Sequence, residues 1–145
     1  MNNIQCTLPD CDPSLDEEIK GILRKYKRIA IVGLSPKEAR DSNRVARYLI
    51  NNGYEIVPVN PGQEKILGKR CYKTLRDIPF QVDVVDLFLN SARVPPIVDQ
   101  AIAIGAKVIW MQLGVVHNEA AEKARKAGIQ VIMNRCIKQD HKKMG

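Results

Sequence analysis

The stretch Ile29-Ala-Ile-Val-Gly-Leu-Ser-Pro-Lys-Glu-Ala-Arg-Asp-Ser-Asn-Arg-Val-Ala-Arg-Tyr-Leu-Ile50 decides the fold. An apolar run ends in a single glycine, Gly33. A polar turn rich in cations follows, and then an amphipathic helix. This is the strand–loop–helix entry of a nucleotide-binding α/β domain, in which phosphate rests on backbone N–H groups at a helix start. The dinucleotide fingerprint G-x-G-x-x-G is absent, and Lys37, Arg40 and Arg44 crowd the turn. The pattern suits a ligand with more phosphate charge than NAD carries.

Working outward, four further apolar runs are short and rich in Val and Ile: Glu55–Asn60, Val82–Leu89, Lys107–Leu113 and Gln130–Asn134. With Ile29–Leu34 they read as five strands buried on both faces, as in a parallel sheet. Helical patterns lie between them. Asn43–Asn52 gathers Val45, Ala46, Leu49 and Ile50 on one side, and Gly53 ends it. Thr74–Ile78 is one short turn. Val94–Ile104 opens on Pro95 and Pro96, which only a first turn tolerates, and stops at Gly105. Asn118–Ala127 has Asn118 as its expected cap and Gly128 at its end. Ahead of the first strand, residues 1–12 read as an irregular arm and residues 14–26 as a leading helix, with Ser14 and Glu17 at capping-box spacing. The alternation predicts one doubly wound α/β domain over residues 1–145. Its expected strand order is 3-2-1-4-5, with the ligand at the carboxyl ends of the strands.

Composition narrows the classes. No apolar run approaches the roughly 20 residues that span a bilayer, and the N-terminus lacks the basic start and apolar centre of a signal peptide. Cytoplasm is the expected location. The four cysteines, Cys6, Cys11, Cys71 and Cys136, form no C-x-x-C pair, so no metal site is expected. Cys6 and Cys11 are spaced to pair only in a hyperthermophile's interior. The net charge of +7 favours an anionic partner: a phosphorylated cofactor, an acidic protein or nucleic acid. Aromatic residues make up only 5% and no reader motif is present, so no nucleic acid is expected.

Four loops should meet at the carboxyl edge. In the first, Gly33 admits a close backbone approach, Ser35 offers a hydroxyl and Lys37 a point charge, with Asn43 and Arg44 adding donors at the next helix. The second, Val59-Asn60-Pro61-Gly62, ends its strand in Asn60 where a NAD domain places an acid for the ribose hydroxyls. That favours an adenosine bearing an extra phosphate, as in NADP or coenzyme A. The third is Phe88-Leu89-Asn90-Ser91-Ala92-Arg93-Val94-Pro95, in which Ser91 is placed to cap the next helix. The fourth is Met111-Gln112-Leu113-Gly114, in which Gln112, like Asn90, can read an amide or a base edge.

Taken together, Val32-Gly-Leu-Ser-Pro-Lys37, Ser42-Asn-Arg-Val-Ala-Arg47, Pro58-Val-Asn-Pro61, Trp110-Met-Gln-Leu-Gly114 and Asn134-Arg-Cys136 resemble the single-domain CoA-binding proteins. These are stand-alone relatives of the CoA-binding domain in the succinyl-CoA synthetase alpha subunit and in ADP-forming acyl-CoA synthetases. The resemblance runs from Ile29 to His141 and implies a Rossmann-like fold with CoA or acyl-CoA across the carboxyl edge. It implies that Gly33, Leu34, Ser35 and Lys37 hold the pyrophosphate. Arg40, Asn43 and Arg44 would meet the phosphates, the 3′-phosphate among them. Val59, Asn60 and Pro61 would flank the adenosine, and Phe88, Asn90, Ser91 and Val94 would line the middle. Met111 and Gln112 would lie toward the pantetheine arm.

The large synthetases use a phosphorylated histidine in a separate domain, which this chain does not carry. Its two histidines, His117 and His141, assemble no catalytic set. The expectation is therefore a CoA-binding module without catalytic residues: a carrier, a sensor or an accessory subunit, with a protein partner or a homodimer left open. The rivals are an NADP-linked oxidoreductase and, after it, a nucleic-acid-binding protein. Cys136, and Cys71 after it, are candidates for a mixed disulfide with the CoA thiol if exposed as thiolates; a buried, inert thiol is the preferred reading of each.

Overall fold

A computed structural model describes residues 13–144. The expected arm at 1–12, with Cys6 and Cys11, lies outside the described residues. The chain opens with α1 (Pro13–Lys25), β1 (Arg28–Val32), α2 (Asp41–Asn51) and β2 (Glu55–Val59). A small antiparallel hairpin follows, β3 (Lys65–Ile66) and β4 (Lys69–Arg70), then a 3-10 turn at Leu75–Asp77. Next come β5 (Val84–Leu87), a 3-10 turn at Ser91–Arg93, α3 (Val94–Ala103) and β6 (Val108–Met111). The chain closes with α4 (Asn118–Lys126), β7 (Gln130–Ile132) and α5 (Ile137–Lys143). Ser14 already lies inside α1, so it is not that helix's cap.

The five long strands form one parallel sheet in the order β2-β1-β5-β6-β7. The sheet and its covering helices are the doubly wound Rossmann-like α/β fold that the sequence predicts. The strand order is not. Counted along the chain it is 2-1-3-4-5 rather than 3-2-1-4-5, because β5 pairs directly with β1. Pro58 gives the physical reason. It has no N–H to donate to a ladder, so β2 suits an edge and not an interior position. β5 is buried at all four residues and needs a neighbour on each side. The segment beyond β2 forms the hairpin and a single parallel bridge, Val59 to Tyr72, rather than another long strand.

Alternation along each strand sorts the core into two layers. Ala30, Val32, Val57, Val59, Val85, Leu87, Ile109 and Met111 pack against α3 and α4. Ile29, Ile31, Ile56, Val84, Val108, Trp110 and Ile132 pack against α1, α2 and α5. α1 is fastened by Tyr54, whose hydroxyl donates to the Leu23 carbonyl at 2.7 Å. It is fastened again through buried Arg135, which forms a bidentate pair with Asp140 of α5 and reaches Asp16 of α1 at 3.7 Å.

One core residue breaks the apolar pattern. Asp86 stands in β5 between Ile31 and Trp110, is fully buried, and has no hydrogen-bond partner for either carboxyl oxygen among the described residues. Burial pushes its pKa well above the usual carboxylate range. The folded state therefore keeps a proton that the unfolded chain releases, so stability falls as pH rises from the ordinary carboxylate pKa toward the raised one. The slope attributable to one proton is at most about 1.4 kcal/mol per pH unit. Asp86→Asn should remove it. Urea unfolding at a series of pH values tests this: the wild type should lose stability with rising pH across that window relative to the variant, and parallel curves would refute it.

Candidate functional site

The carboxyl ends of β1 and β5 lie side by side, and the loops that leave them part there. Gly33 follows β1 with φ +88°, and its N–H donates to the Val59 carbonyl at 2.9 Å. A Cβ on Gly33 would land inside the van der Waals shell of the Phe88 carbonyl oxygen. The glycine is thus required by the approach of these two strand ends as well as by its left-handed backbone.

Side chains from α2 hold the loop after Gly33. Ser42 Oγ accepts from the Ser35 N–H at 2.9 Å, and Asn43 Nδ2 donates to the Ser35 carbonyl at 2.9 Å. Ser35 Oγ accepts from the Lys37 N–H at 3.1 Å. Arg47 ties the arrangement together through Asn43 Oδ1 at 2.8 Å and the Glu38 carbonyl at 2.7 Å. Ser42 and Asn43 are buried, and Leu34 is fully buried in the core. The side chain of Asn43 therefore shapes the loop from beneath. Arg44 pairs with Asp41 at 3.3 Å. Lys37 and Arg40 remain exposed, and Arg40 is the first flanking residue of α2, with no side-chain cap on that helix start.

Two adjoining clefts share Gly33, Phe88 and Leu89. The first, about 360 Å³, runs over Ser35, Arg40, Asp41, Ser42, Gln112 and Leu113. The second, about 500 Å³, runs over Val59, Asn60, Pro61, Lys73, Thr74, Arg93 and Ile97. Asn60 brackets the loops between them: Nδ2 donates to the Leu34 carbonyl at 3.0 Å and Oδ1 accepts from the Gly62 N–H at 2.8 Å. Lys73, Thr74 and Ile97 escaped the sequence reading, and Arg93 stands in the third expected loop without being singled out. They come from the irregular segment after the hairpin and from the start of α3, where no periodicity marks a site.

The remaining expected residues divide between cleft and core. Phe88 and Gln112 line the clefts, and Gln112 Oε1 also accepts from the Ile137 N–H at 3.1 Å. Met111 and Val94 are fully buried in the α3/α4 layer and line neither cleft. Asn90 Oδ1 caps the following 3-10 turn by accepting from the Ala92 N–H at 2.9 Å. Ser91 does not cap a helix. Its hydroxyl joins two loops instead, accepting from the Val116 N–H at 2.9 Å and donating to the Gly114 carbonyl at 3.3 Å.

His117, rather than Asn118, caps α4, its Nδ1 accepting from the Ala120 N–H at 3.1 Å. His141 Nδ1 lies 2.7 Å from the Tyr48 hydroxyl, where α5 meets α2. Burial, with the nearby Lys27 charge second, lowers the pKa of His141. Cys71 is buried, and burial raises its thiol pKa, while its Sγ contacts the Asn60 carbonyl at 3.4 Å. Cys136 is half-buried against the layer of α1, α2 and α5. Among the described residues no group of three or more His, Cys, Asp or Glu is placed to hold a metal, and no helix is long and apolar enough to cross a membrane.

A parallel sheet whose switch point opens into a cation-bearing cleft places the chain in the doubly wound, Rossmann-like class of α/β domains. Residues 27–142 match the CoA binding domain model, and the chain belongs to that family. It is similar to the uncharacterized protein YneT of Bacillus subtilis, 40% identical over 86% of this chain and 92% of that one. It is also similar to the alpha subunit of ADP-forming acetate–CoA ligase I of Pyrococcus furiosus, 30% identical over 73% of this chain, but it spans only 26% of that subunit. Among solved structures, a hypothetical protein from Pyrococcus horikoshii superposes with TM-score 0.87 at 46% identity, covering 90% of this chain and 92% of that one.

The contact at Gly33 is directly testable against Gly128, which has the same φ of +88° but open space where a Cβ would stand. Gly128→Ala should cost about 1–2 kcal/mol, the strain of a left-handed non-glycine residue. Gly33→Ala should cost clearly more, because a backbone oxygen blocks the methyl. Urea unfolding of both variants measures the difference; equal losses would mean that β5 yields without cost at Phe88.

Proposed function

We propose that the chain binds coenzyme A along the carboxyl edge of its sheet as a non-catalytic module, a carrier, sensor or accessory subunit. The observation that carries this reading is the pair of adjoining clefts that meet at Gly33, with Arg40 on one and Lys73 and Arg93 on the other. A ligand lying across both must be long and anionic at more than one point, as CoA is. The family match supports the same cofactor.

In this reading the pyrophosphate lies over Gly33, Leu34 and Ser35, beside Lys37 and Arg40. The start of α2 contributes its dipole, since no side chain caps it. Val59, Asn60 and Pro61 flank the adenosine, with Asn60 fixing the wall through its two loop hydrogen bonds. Phe88 stands at the junction, and Gln112 and exposed Leu113 lead away toward the pantetheine arm. The bound cofactor would supply a thiol, or a thioester to that thiol. Both histidines hold structural positions, in a helix cap and in an α2/α5 contact, and that supports binding rather than catalysis.

Calorimetric titration with CoA and with NADP tests the reading. CoA should bind and NADP should not compete with it; binding of NADP alone would move the protein to the oxidoreductases. Lys37→Ala should weaken CoA by on the order of 1–3 kcal/mol, the worth of a charge-assisted bond to phosphate. The melting temperature should hold, because Lys37 is exposed. Unchanged affinity would remove Lys37 from the pyrophosphate site.

A further inference from the structure

The cleft on the β2 side has a polar inventory that singles out two residues. Asn60 uses both ends of its amide on loop backbone. Thr74 Oγ1 donates to Asp77 at 3.0 Å, and Gln100 Oε1 accepts from the Leu75 N–H at 3.2 Å. Lys73 and Arg93 are the cleft's two charged side chains, and no carboxylate lines it. Among the described residues neither forms an ion pair. The neighbouring cleft differs, since it includes Asp41, which pairs with Arg44.

Both cations stand on fixed backbone. The segment before Lys73 is laced to β2, with Tyr72 N–H donating to the Pro58 carbonyl at 3.0 Å and Asn60 N–H to the Tyr72 carbonyl at 2.9 Å. The segment after it is closed by Asp77, which accepts from the Thr74 N–H at 3.2 Å. Arg93 ends the turn capped by Asn90, its N–H donating to the Asn90 carbonyl at 2.8 Å. Two uncompensated cations on a concave wall create a positive potential that attracts an anion and strengthens charge-assisted hydrogen bonds to it.

We propose that Lys73 and Arg93 form a second anion site that reads the 3′-phosphate of CoA, separate from the pyrophosphate position at Lys37 and Arg40. The proposal rests on the CoA reading and reassigns one group within it. The adenosine is flanked by Val59, Asn60 and Pro61, and Lys73 and Arg93 share that cleft. A phosphate on the ribose of that adenosine therefore falls to them. Arg40 lies beyond Gly33 on the other side, and Arg44 lines neither cleft and pairs with Asp41 at 3.3 Å. The site makes the protein selective for 3′-phosphorylated CoA over its dephosphorylated form.

The test is calorimetric titration of CoA and 3′-dephospho-CoA into the wild type, Lys73→Gln, Arg93→Gln and Arg40→Gln. The wild type should prefer CoA by at least about tenfold, as expected for charge-assisted bonds to one phosphate. Lys73→Gln and Arg93→Gln should each weaken CoA several-fold, leave 3′-dephospho-CoA unchanged, and so shrink the preference by the same factor. Arg40→Gln should weaken both ligands and keep the ratio. If the wild type prefers CoA but both cleft variants retain that preference, the 3′-phosphate lies elsewhere and only this assignment fails. If the wild type binds neither ligand, the CoA reading fails and takes this one with it.

Discussion

The close approach of Gly33 to Phe88 is the constraint from which the site follows. β1 and β5 are neighbours, and their chains turn away in different directions as they leave the sheet. The Phe88 N–H donates to the Val32 carbonyl at 2.9 Å, so the ladder continues to the last residue before the loops part. With the Phe88 carbonyl where a Cβ would stand, only glycine allows the two strands to end level. Level ends make the carboxyl edge a shared floor, and both clefts include Gly33 and Phe88 in it. A sheet in the order 3-2-1-4-5 would put the same crevice between β1 and the strand after α3. Here Pro58 confines β2 to the edge, and β5 takes the place beside β1.

Side chains with phosphate-binding chemistry serve two different ends around this floor. Ser42, Asn43 and Arg47 give their hydrogen bonds to the loop at residues 35–38, and Asn60 gives its own to the loops at 34 and 62. These groups set the shape of the walls. Lys37, Arg40, Lys73 and Arg93 keep exposed charges. The division suits a binding protein: the walls are ordered before the ligand arrives, so less ordering free energy is subtracted from the affinity.

Much of this was legible in the residues, and the gaps have physical causes. Runs of Val and Ile bounded by turn residues located all five long strands, and Gly33 marked the site because a lone glycine after a buried strand is a backbone requirement. Pro58 carried the information on strand order, but a proline in an apolar run is easily read as tolerated rather than as forbidding an interior position. Residue type alone could not tell Asn60, whose amide is consumed by backbone, and Asn43, whose amide is shared between the Ser35 carbonyl and Arg47, from an amide free to meet a ligand. Lys73 was invisible for the opposite reason, and Arg93, though it lies in an expected loop, carries no sign of a role. Each is an ordinary surface cation until the Tyr72–Pro58 lacing and the Asn90-capped turn bring them to one wall. Asn118 is the expected N-cap because imidazole is an uncommon one, yet His117 Nδ1 makes the bond.

The charges buried on the far layer of the sheet show how differently the same residue types behave away from the edge. Arg135 is bidentate to Asp140 and also reaches Asp16, while its carbonyl accepts from Trp110 Nε1 at 2.8 Å. That cluster is paired throughout and ties α1, β6 and α5 together, so removing one member would strand a buried charge. Asp86, in the same layer, has no such partner among the described residues, and burial raises its pKa well above the usual carboxylate range. The two sites face α1, α2 and α5, whereas the cleft that bears Lys73 and Arg93 includes Ile97 and Gln100 of α3. Among the described residues, buried charge is thus either paired, as at Arg135 and Asp140, or pushed toward its neutral form, as at Asp86. Lys73 and Arg93, on the β2-side wall of the carboxyl edge, form no ion pair among the described residues, and it is on this contrast that their proposed role as an anion site rests.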